Sequence, residues 1–495
     1  MGVIMALAFD KEKYFNIQRE AIMKRIQKFG DKLYMEFGGK LFDDYHAERV
    51  LPGFDHDTKL KMLLGLKDMT EIIIAVNSND IQNNKIREDL GISYEDEVIR
   101  LIDAFQSVGL FVSSVVLSKY ADQPLTKIFR KMLDNRGIKT YLHYPIQGYP
   151  QNFSLVLSEE GFGKNEYVET TRPLVVVTAP GPGSGKLATC LSQLYHENKR
   201  GVRAGYAKFE TFPIWNIPLK HPVNIAYEAA TIDLKDVNLI DPYHLENYGT
   251  MAVNYNRDVE AFPLLKNMFE LIYGLSPYNS PTDMGVNMVG FCIIDDEAAI
   301  EASRKEIVRR YYATLKSKFY GVLSEDDVVK CELLMQQAQT SIEDRKVVKA
   351  ALDKAIEKET PYMALELPDG RIVTGKTSEL LRSPASLILN SLKVLANISD
   401  RIPLISKNII NPIQDLKVNS LGNHNPRLHL DDVLVALCIS AQTNPSADLA
   451  LKELPNLKGS EAHSSVILSV SDLSCLKKLG IQVTEEPKLR AKRLY

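Results

Sequence analysis

The sequence predicts an α/β protein with three domains: a parallel-sheet N-terminal domain (1–225), a mainly helical middle domain (226–358) and a smaller α/β C-terminal domain (359–495). Three observations lead to this prediction. Short continuous runs of β-branched apolar residues alternate with helical periodicity, which is typical of a parallel sheet covered by helices on both faces. A glycine-rich turn of P-loop-like type joins one such run to a helix. Long segments of helical periodicity then fill much of the middle.

Composition and charge limit the classes of function. The chain has 495 residues, of which 45% are hydrophobic and 25% charged, so it has the size for about three globular domains. A net charge of −3 provides no basic field, and we expect no nucleic-acid partner. Five dispersed cysteines match neither a disulfide framework nor a zinc ribbon and favour a reducing cytoplasm. The apolar segment Met1–Phe9 is too short to span a bilayer, so we expect no membrane association.

The first predicted elements are a helix over residues 10–30 and a strand over residues 32–37. The strand ends in Glu36-Phe37-Gly38-Gly39-Lys40, and Asp43, Asp44 and His46 follow. So many ionisable groups after a strand would face a ligand in the crevice where α/β sheets bind molecules. A turn before a solvated helix explains the same residues equally well, and the sequence leaves both readings open.

Regular alternation continues up to the glycine-rich turn. Helices are predicted over 60–66, 95–108 and 125–135, and strands over 71–76, 110–117 and 138–144. We expect right-handed crossovers between these strands and a place for the strand Leu174–Thr178 in the same sheet or an adjoining one.

The chain is organised around the segment that follows this strand, Ala179-Pro180-Gly181-Pro182-Gly183-Ser184-Gly185-Lys186. Glycines allow backbone N–H groups to converge, and the start of the next helix adds partial positive charge, so the turn suits a phosphate. Lys186 would reach the outer phosphates of ATP or of another phosphate ligand. We therefore predict contacts to a small phosphate-containing molecule from Gly181, Gly183, Ser184, Gly185 and Lys186.

The match to G-x-x-x-x-G-K-[ST] is incomplete, because Pro180 occupies the first glycine position and Leu187 occupies the hydroxyl position. The missing hydroxyl normally holds Mg²⁺, and Ser184 or Thr189 would have to replace it. The alternative is a structural strand-to-helix turn with a solvated Lys186.

Further charged residues follow the glycine-rich turn. Lys208 and Glu210 come at the end of the strand predicted over 203–209, and Lys208 is expected to assist in phosphate binding. Glu228 and Asp233 are predicted as ligands of Mg²⁺, which prefers carboxylate oxygens. Helix caps and solvated side chains are the alternative for each carboxylate. The order of these residues bears a weak resemblance to the ATP-binding layout of CTP-synthase-like amidoligases.

The C-terminal domain is predicted to open with a hairpin around Pro368-Asp369-Gly370. Gly375-Lys376-Thr377-Ser378 would then begin a helix, and a strand is predicted over 464–470. Glu461 and His463 precede that strand and are candidates for acid–base chemistry, or for a metal site with His424 and His429. A structural role for His463 is the alternative.

Four segments stand out together: Glu36-Phe37-Gly38-Gly39-Lys40-Leu41-Phe42-Asp43-Asp44, the glycine-rich turn, Ser280-Pro281-Thr282-Asp283-Met284-Gly285 and Glu461-Ala462-His463-Ser464-Ser465. Together they resemble an uncharacterised bacterial family described as a domain of unknown function, with members of about this length. The resemblance covers essentially the whole chain. It implies an α/β N-terminal part, a helical middle and a smaller α/β C-terminal part, but no activity. Some relatives carry an ATP-dependent peptidase label, although this sequence has no nucleophile elbow, H-E-x-x-H or catalytic cysteine context.

These observations lead to two hypotheses. The first is an ATP-using enzyme in which Lys186 and the glycine amides bind phosphates and a carboxylate holds Mg²⁺. The second is a nucleotide- or metabolite-binding regulator without turnover, which the missing hydroxyl after Lys186 favours. A scaffold that binds nothing at the turn is a plainer third reading, and the sequence leaves open whether the chain forms a homo-oligomer.

Overall fold

The computed structural model describes residues 7–30, 32–39, 41–42, 44–87 and 91–489. Within these residues the chain forms two compact units. The larger unit contains residues 7–228 and 235–302, and the smaller unit contains residues 229–234 and 303–489. None of the described helices combines the length and the apolar character that crossing a bilayer requires.

A six-stranded parallel sheet forms the centre of the larger unit, as the sequence predicts. Its strand order is β6-β5-β2-β7-β1-β8, and two short antiparallel pairs, β3–β4 and β9–β10, lie outside it. Among the described residues of this unit the strands are β1 (Leu33–Phe37), β2 (Thr70–Asn77), β3 (Ile86–Arg87), β4 (Ile92–Ser93), β5 (Phe111–Ser118), β6 (Lys139–Leu142), β7 (Leu174–Thr178), β8 (Gly205–Phe209), β9 (Asn238–Ile240) and β10 (Val253–Tyr255).

The central strands form because they bury continuous β-branched runs. Every residue of β2 and β7 is buried, which requires packing against both faces of the sheet. The helices are α1 (Lys11–Lys28), α2 (Tyr45–Val50), α3 (Thr58–Leu64), α4 (Ser78–Gln82), α5 (Tyr94–Ser107), α6 (Pro124–Asn135), α7 (Phe153–Val156), α8 (Lys186–Lys199), α9 (Pro222–Ala230), α10 (Pro242–Tyr248), α11 (Asn256–Tyr273), α12 (Pro281–Met284), α13 (Asp296–Phe319), α14 (Glu325–Gln337), α15 (Lys346–Lys358), α16 (Ser383–Leu395), α17 (Lys407–Asp415), α18 (Leu430–Ala441), α19 (Pro445–Lys452) and α20 (Val470–Lys478). Shorter helical turns cover Lys67–Met69, Phe162–Lys164, Ile232–Leu234, Val289–Cys292, Ile342–Asp344, Leu416–Ser420 and Leu454–Leu457.

Strand order marks one position at the carboxyl edge of this sheet. From β2 the chain continues outward to β5, whereas from β7 it continues in the opposite direction to β8. Ligands of open α/β sheets bind where neighbouring strands connect in opposite directions, outside their carboxyl ends. The segment after β7 therefore begins at the position where this architecture favours a ligand.

The smaller unit contains a four-stranded mixed sheet in the order β12-β11-β13-β14. Its strands are β11 (Tyr362–Glu366), β12 (Ile372–Lys376), β13 (Glu461–Ser464) and β14 (Gln482–Glu485). The hairpin β11–β12 confirms the prediction around Pro368-Asp369-Gly370, and only β13 and β14 pair in parallel.

Two local predictions in this unit were wrong. Gly375 and Lys376 belong to strand β12 and do not begin a helix. Helix α16 packs so closely there that a Cβ on Gly375 would lie 2.2 Å from the backbone N of Leu387, so the glycine serves close packing. The predicted strand over 464–470 is displaced: β13 ends at Ser464, and the Ser469 hydroxyl caps helix α20 through the Asp472 N–H.

Candidate functional site

The turn between β7 and α8, residues 179–185, is here called the glycine loop. It needs glycine at two positions, because Gly183 and Gly185 have φ of +75° and +95°. The loop rests on the ends of neighbouring strands through its carbonyl groups. Asn77 Nδ2 donates to the Gly183 carbonyl at 3.4 Å, and Ser118 Oγ donates to the Ser184 carbonyl at 2.8 Å.

The orientation of these carbonyls fixes the direction of the amides that follow them. In a trans peptide the N–H points opposite to the carbonyl of the preceding residue, so the Gly185 N–H points away from Ser118. The N–H groups of Gly183, Gly185 and Lys186 donate to no acceptor in the described parts of the chain. The loop therefore presents backbone donors at the start of a 14-residue helix, where the helix dipole also favours an anion.

The hydroxyl groups of Ser184 and Thr189 were predicted as replacements for the one missing after Lys186, and they differ in their hydrogen bonding. Ser184 Oγ closes the loop by donating to the Gly181 carbonyl at 2.9 Å. Thr189 Oγ1 is buried and has no hydrogen-bond partner among the described residues. Because Cα–Cβ bonds in a helix tilt toward its N-terminus, the Thr189 side chain leans toward the loop.

Lys186 is the first residue of α8, is half-buried and forms no ion pair with a described carboxylate. Helix α8 packs against β1, and the charges of Lys186 and of Glu36 in β1 both act on the Cys190 thiol of α8. Burial raises the pKa of Cys190 well above its ordinary value, Glu36 raises the pKa further and Lys186 lowers it. The end of β1 therefore lies close to the first turn of α8.

Lys208 does not extend toward a free anion site. Its Nζ lies 2.6 Å from both carboxylate oxygens of Asp258, 3.2 Å from Glu210 Oε1 and within hydrogen-bond distance of Tyr255 Oη. Burial lowers the pKa of Lys208, but the carboxylates of Asp258, Glu210 and Glu36 outweigh burial and raise the pKa above its ordinary value. The lysine is therefore protonated, and its charge is already balanced by protein groups.

Glu36, Tyr206, Lys208, Glu210, Tyr255 and Asp258 together form a polar group that we call the Lys208 cluster. Tyr206 Oη donates to Glu36 Oε2 at 2.8 Å, and Tyr255 Oη donates to Glu210 Oε1 at 3.1 Å. Burial and the carboxylates of Asp258 and Glu36 raise the pKa of Glu210 to about 7, even though Lys208 opposes them. Glu210 is thus a carboxyl group that titrates near neutrality.

Gly38 explains part of the motif at the end of β1. A Cβ on Gly38 would lie 2.4 Å from Glu210 Cγ, so this position admits only glycine while Glu210 keeps its place. Asp44 of the same motif forms a buried ion pair with Lys59 at 2.6 Å. Lys40 and Asp43, which the motif also includes, lie outside the described residues.

The two predicted magnesium ligands belong to different units. Glu228, in the larger unit, accepts the Asn238 N–H at 3.2 Å, whereas Asp233 belongs to a helical turn of the smaller unit that packs against α14. Asp236, the next carboxylate along the chain, forms an ion pair with Arg257 at 2.6 Å. In the described part of the chain, no three His, Cys, Asp or Glu residues are grouped so as to hold a metal ion.

Glu461 and His463 belong to a buried polar network of the smaller unit. Glu461 forms ion pairs with Arg309 and Arg345, and these arginines overcome burial and lower the pKa of Glu461. His463 is fully buried, with Nδ1 2.8 Å from Thr484 Oγ1. This environment supports the structural alternative for His463.

A cavity of about 570 Å³ lies elsewhere in the larger unit, beside the outer strand β6. Its lining mixes both charges, including Arg130, Lys139, Glu166, Glu169 and Arg200. The cavity is three strands away from β7 in the sheet order. We place the candidate site at the glycine loop because backbone donors are available there.

Comparisons with known proteins cover nearly the whole chain. A family model described as domain of unknown function DUF1846, N-terminal, matches residues 7–339, and its C-terminal counterpart matches residues 343–495. UPF0371 proteins of Streptococcus pyogenes serotype M5 (strain Manfredo) and Streptococcus uberis (strain ATCC BAA-854 / 0140J) are each 57% identical over 489 residues, 99% of this chain and 99% of the relative. These findings confirm the resemblance inferred from the sequence to a bacterial family of unknown function.

Proposed function

Because the chain belongs to the DUF1846 family, whose description states no function, we propose a function from its own geometry: the glycine loop binds the phosphate group of a small molecule. The observation that carries this proposal is the set of backbone N–H groups at Gly183, Gly185 and Lys186 that no described acceptor uses. Backbone donors that converge at a helix N-terminus are the usual means of holding phosphate oxygens without a metal.

Side chains beside the loop supply the remaining requirements of a phosphate site. Lys186 carries a positive charge at the first turn of α8 that no described carboxylate neutralises. Thr189 supplies a buried hydroxyl without a described partner. A buried hydroxyl that finds no partner is costly, so a ligand or water that pairs with it stabilises the site.

ATP is the ligand that we propose first, with Mg²⁺ entering bound to its phosphates. The glycine–lysine order at a strand-to-helix turn supports a nucleotide, and one with several phosphates would engage both the loop amides and Lys186. A phosphorylated metabolite is the second possibility within the same chemistry.

Binding without turnover is favoured over catalysis by one feature, the Leu187 side chain at the position where a metal-holding hydroxyl is expected. Phosphoryl transfer depends on a metal ion held between the phosphates. The Ser184 hydroxyl does not replace the missing metal ligand, because it already donates a hydrogen bond to the Gly181 carbonyl. The proposed role is therefore a nucleotide- or metabolite-binding regulator, with an ATP-using enzyme as the alternative.

The test is calorimetric titration of pyrophosphate and of ATP, each with and without Mg²⁺, into the full-length protein. Lys186→Gln is expected to weaken both ligands about tenfold, because a charge-assisted contact to phosphate is lost. Lys199→Gln is the matched control: it removes a lysine from the other end of α8, where the partner is the exposed Glu159. If Lys186→Gln binds both ligands as tightly as the parent, the loop is not their site. Product release from ATP in the same samples would favour the enzyme over the regulator.

A further inference from the structure

Glu210 lies at the carboxyl edge of the sheet, one residue beyond β8, and its carboxylate is only partly used. Its Oε1 contacts Lys208 and Tyr255, whereas Oε2 has no hydrogen-bond partner among the described residues. The side chain is 26% exposed, so solvent or a ligand has access to it. The contacts of Oε1 fix the position of the carboxylate, and the exposed part of the side chain leaves Oε2 available as a hydrogen-bond acceptor.

The ion pair between Lys208 and Asp258 does not require Glu210. Both oxygens of Asp258 already hold the Lys208 ammonium at 2.6 Å, and Tyr255 Oη is also in contact with that ammonium. Glu210 therefore adds a second carboxylate to a lysine that has one. A half-buried carboxylate beyond what the ion pair needs would be stabilised by hydrogen-bond donors from a ligand.

A second polar group beside Glu210 also lacks a partner. The Thr211 side chain is 4% exposed, and its Oγ1 has no hydrogen-bond partner in the described residues. Thr189 is the corresponding case at the glycine loop. Buried hydroxyls without a described partner thus occur near both positions at the same edge of the sheet, where a polar ligand would supply one.

The separation of the two positions sets the size of the ligand. Strands β7 and β8 both pair with β1, and Glu36 is the register partner of both Val177 and Lys208. The backbones of β7 and β8 are therefore two strand spacings apart, which is about 10 Å. Inorganic phosphate on the loop is too small to reach Glu210, whereas a phosphorylated sugar or a nucleotide spans that distance.

We propose that the ligand of the glycine loop carries a sugar with adjacent hydroxyl groups, and that Glu210 accepts hydrogen bonds from them; this rests on the proposed phosphate site. The arrangement follows the general logic of dinucleotide folds, in which a glycine turn holds the phosphates and an acidic residue after the next strand of the chain binds the ribose hydroxyls. Here β1 lies between the two strands and lengthens the distance by one spacing. A ribonucleotide and a free sugar phosphate share this chemistry.

The experiment compares probes that differ only in the parts of interest, by calorimetry on the full-length protein at pH 8. The probes are pyrophosphate, ADP, 2′,3′-dideoxy-ADP, inorganic phosphate and ribose 5-phosphate. We expect ADP to bind at least tenfold more tightly than its dideoxy analogue, which corresponds to about 1.4 kcal/mol. If the natural ligand is a free sugar phosphate, we instead expect ribose 5-phosphate to bind at least tenfold more tightly than inorganic phosphate.

Variants assign this preference to Glu210. Glu210→Gln is expected to abolish the hydroxyl-dependent difference while binding pyrophosphate as the parent does, and Glu260→Gln, an exposed glutamate of α11, is expected to change neither. Equal binding of ADP and dideoxy-ADP, together with no gain for ribose 5-phosphate, would overturn this inference and leave phosphate binding intact. Persistence of the preference in Glu210→Gln would also overturn it. Failure of every phosphate probe would overturn the proposed function instead. The comparison of probes on the unaltered protein stands even if the variant does not fold.

Discussion

Replacement of Glu210 by glutamine should change how the stability of the larger unit depends on pH. In the folded protein, burial and the neighbouring carboxylates raise the pKa of Glu210 to about 7, against an ordinary value of 4.5. Because the folded pKa lies above the unfolded one, the stabilising contribution of this group is complete below pH 4.5 and is lost as pH rises through 7. That difference in pKa corresponds to about 3 kcal/mol, most of which falls between pH 5 and pH 8.

Urea unfolding measures this effect, with the fluorescence of Trp215 as the signal. Trp215 is the single tryptophan of the chain and lies in the larger unit, so the signal reports on that unit. Between pH 5 and pH 8 the parent should lose about 2–3 kcal/mol of unfolding free energy relative to Glu210→Gln. The exposed control Glu260→Gln should follow the parent. Identical pH profiles for the parent and Glu210→Gln would mean that Glu210 titrates as an ordinary carboxyl and that burial does not raise its pKa.

Three further substitutions test local geometry and charge pairing. Gly183→Ala should cost about 1 kcal/mol of unfolding free energy through its φ of +75° alone, since nothing lies within 4 Å of the new Cβ. Gly185→Ala should cost more, because its Cβ would also lie 2.8 Å from Ser118 Oγ; the same urea titration compares the pair, and equal losses would contradict the contact. In the smaller unit, Glu461→Gln should cost about 3 kcal/mol because Arg345 then has no carboxylate partner among the described residues and Arg309 keeps only Glu306. Thermal unfolding by circular dichroism measures that loss, and a transition no lower than the parent's would refute the role of the pair.

Sequence patterns predict the strands of the large sheet but not their spatial order. Runs such as Ile72–Val76 and Val175–Val177 are long enough and β-branched enough to identify buried parallel strands directly. The placement of β7 between β2 and β1 depends on contacts far apart in sequence, for which local periodicity has no signal. The strand expected over 464–470 failed for a local reason, since the capping sequence that starts with Ser469 prevailed over an apolar run.

The candidate site was predictable in part. Gly183, Gly185 and Lys186 stand out because a glycine turn needs unusual backbone angles and glycine has a clear signal. The partners of Lys208 had no such signal, because Asp258 comes from α11, 50 residues further along the chain, and only folding brings it to the ammonium. The sequence predicts that Lys208 assists in phosphate binding, and it has no signal for the contact with Asp258 that the fold adds.

The central place of β7 also constrains the order of events during synthesis. Strands β1 and β2 are synthesised first, yet each pairs with β7 and not with the other. A growing chain that has not reached Leu174 therefore lacks the strand that lies between them. Two inner edges with unused hydrogen-bonding groups stay exposed for roughly the 100 residues that separate β2 from β7. Formation of the glycine loop and the joining of β1 to β2 through β7 thus both wait for the synthesis of β7, and a chain that stops before Leu174 has neither.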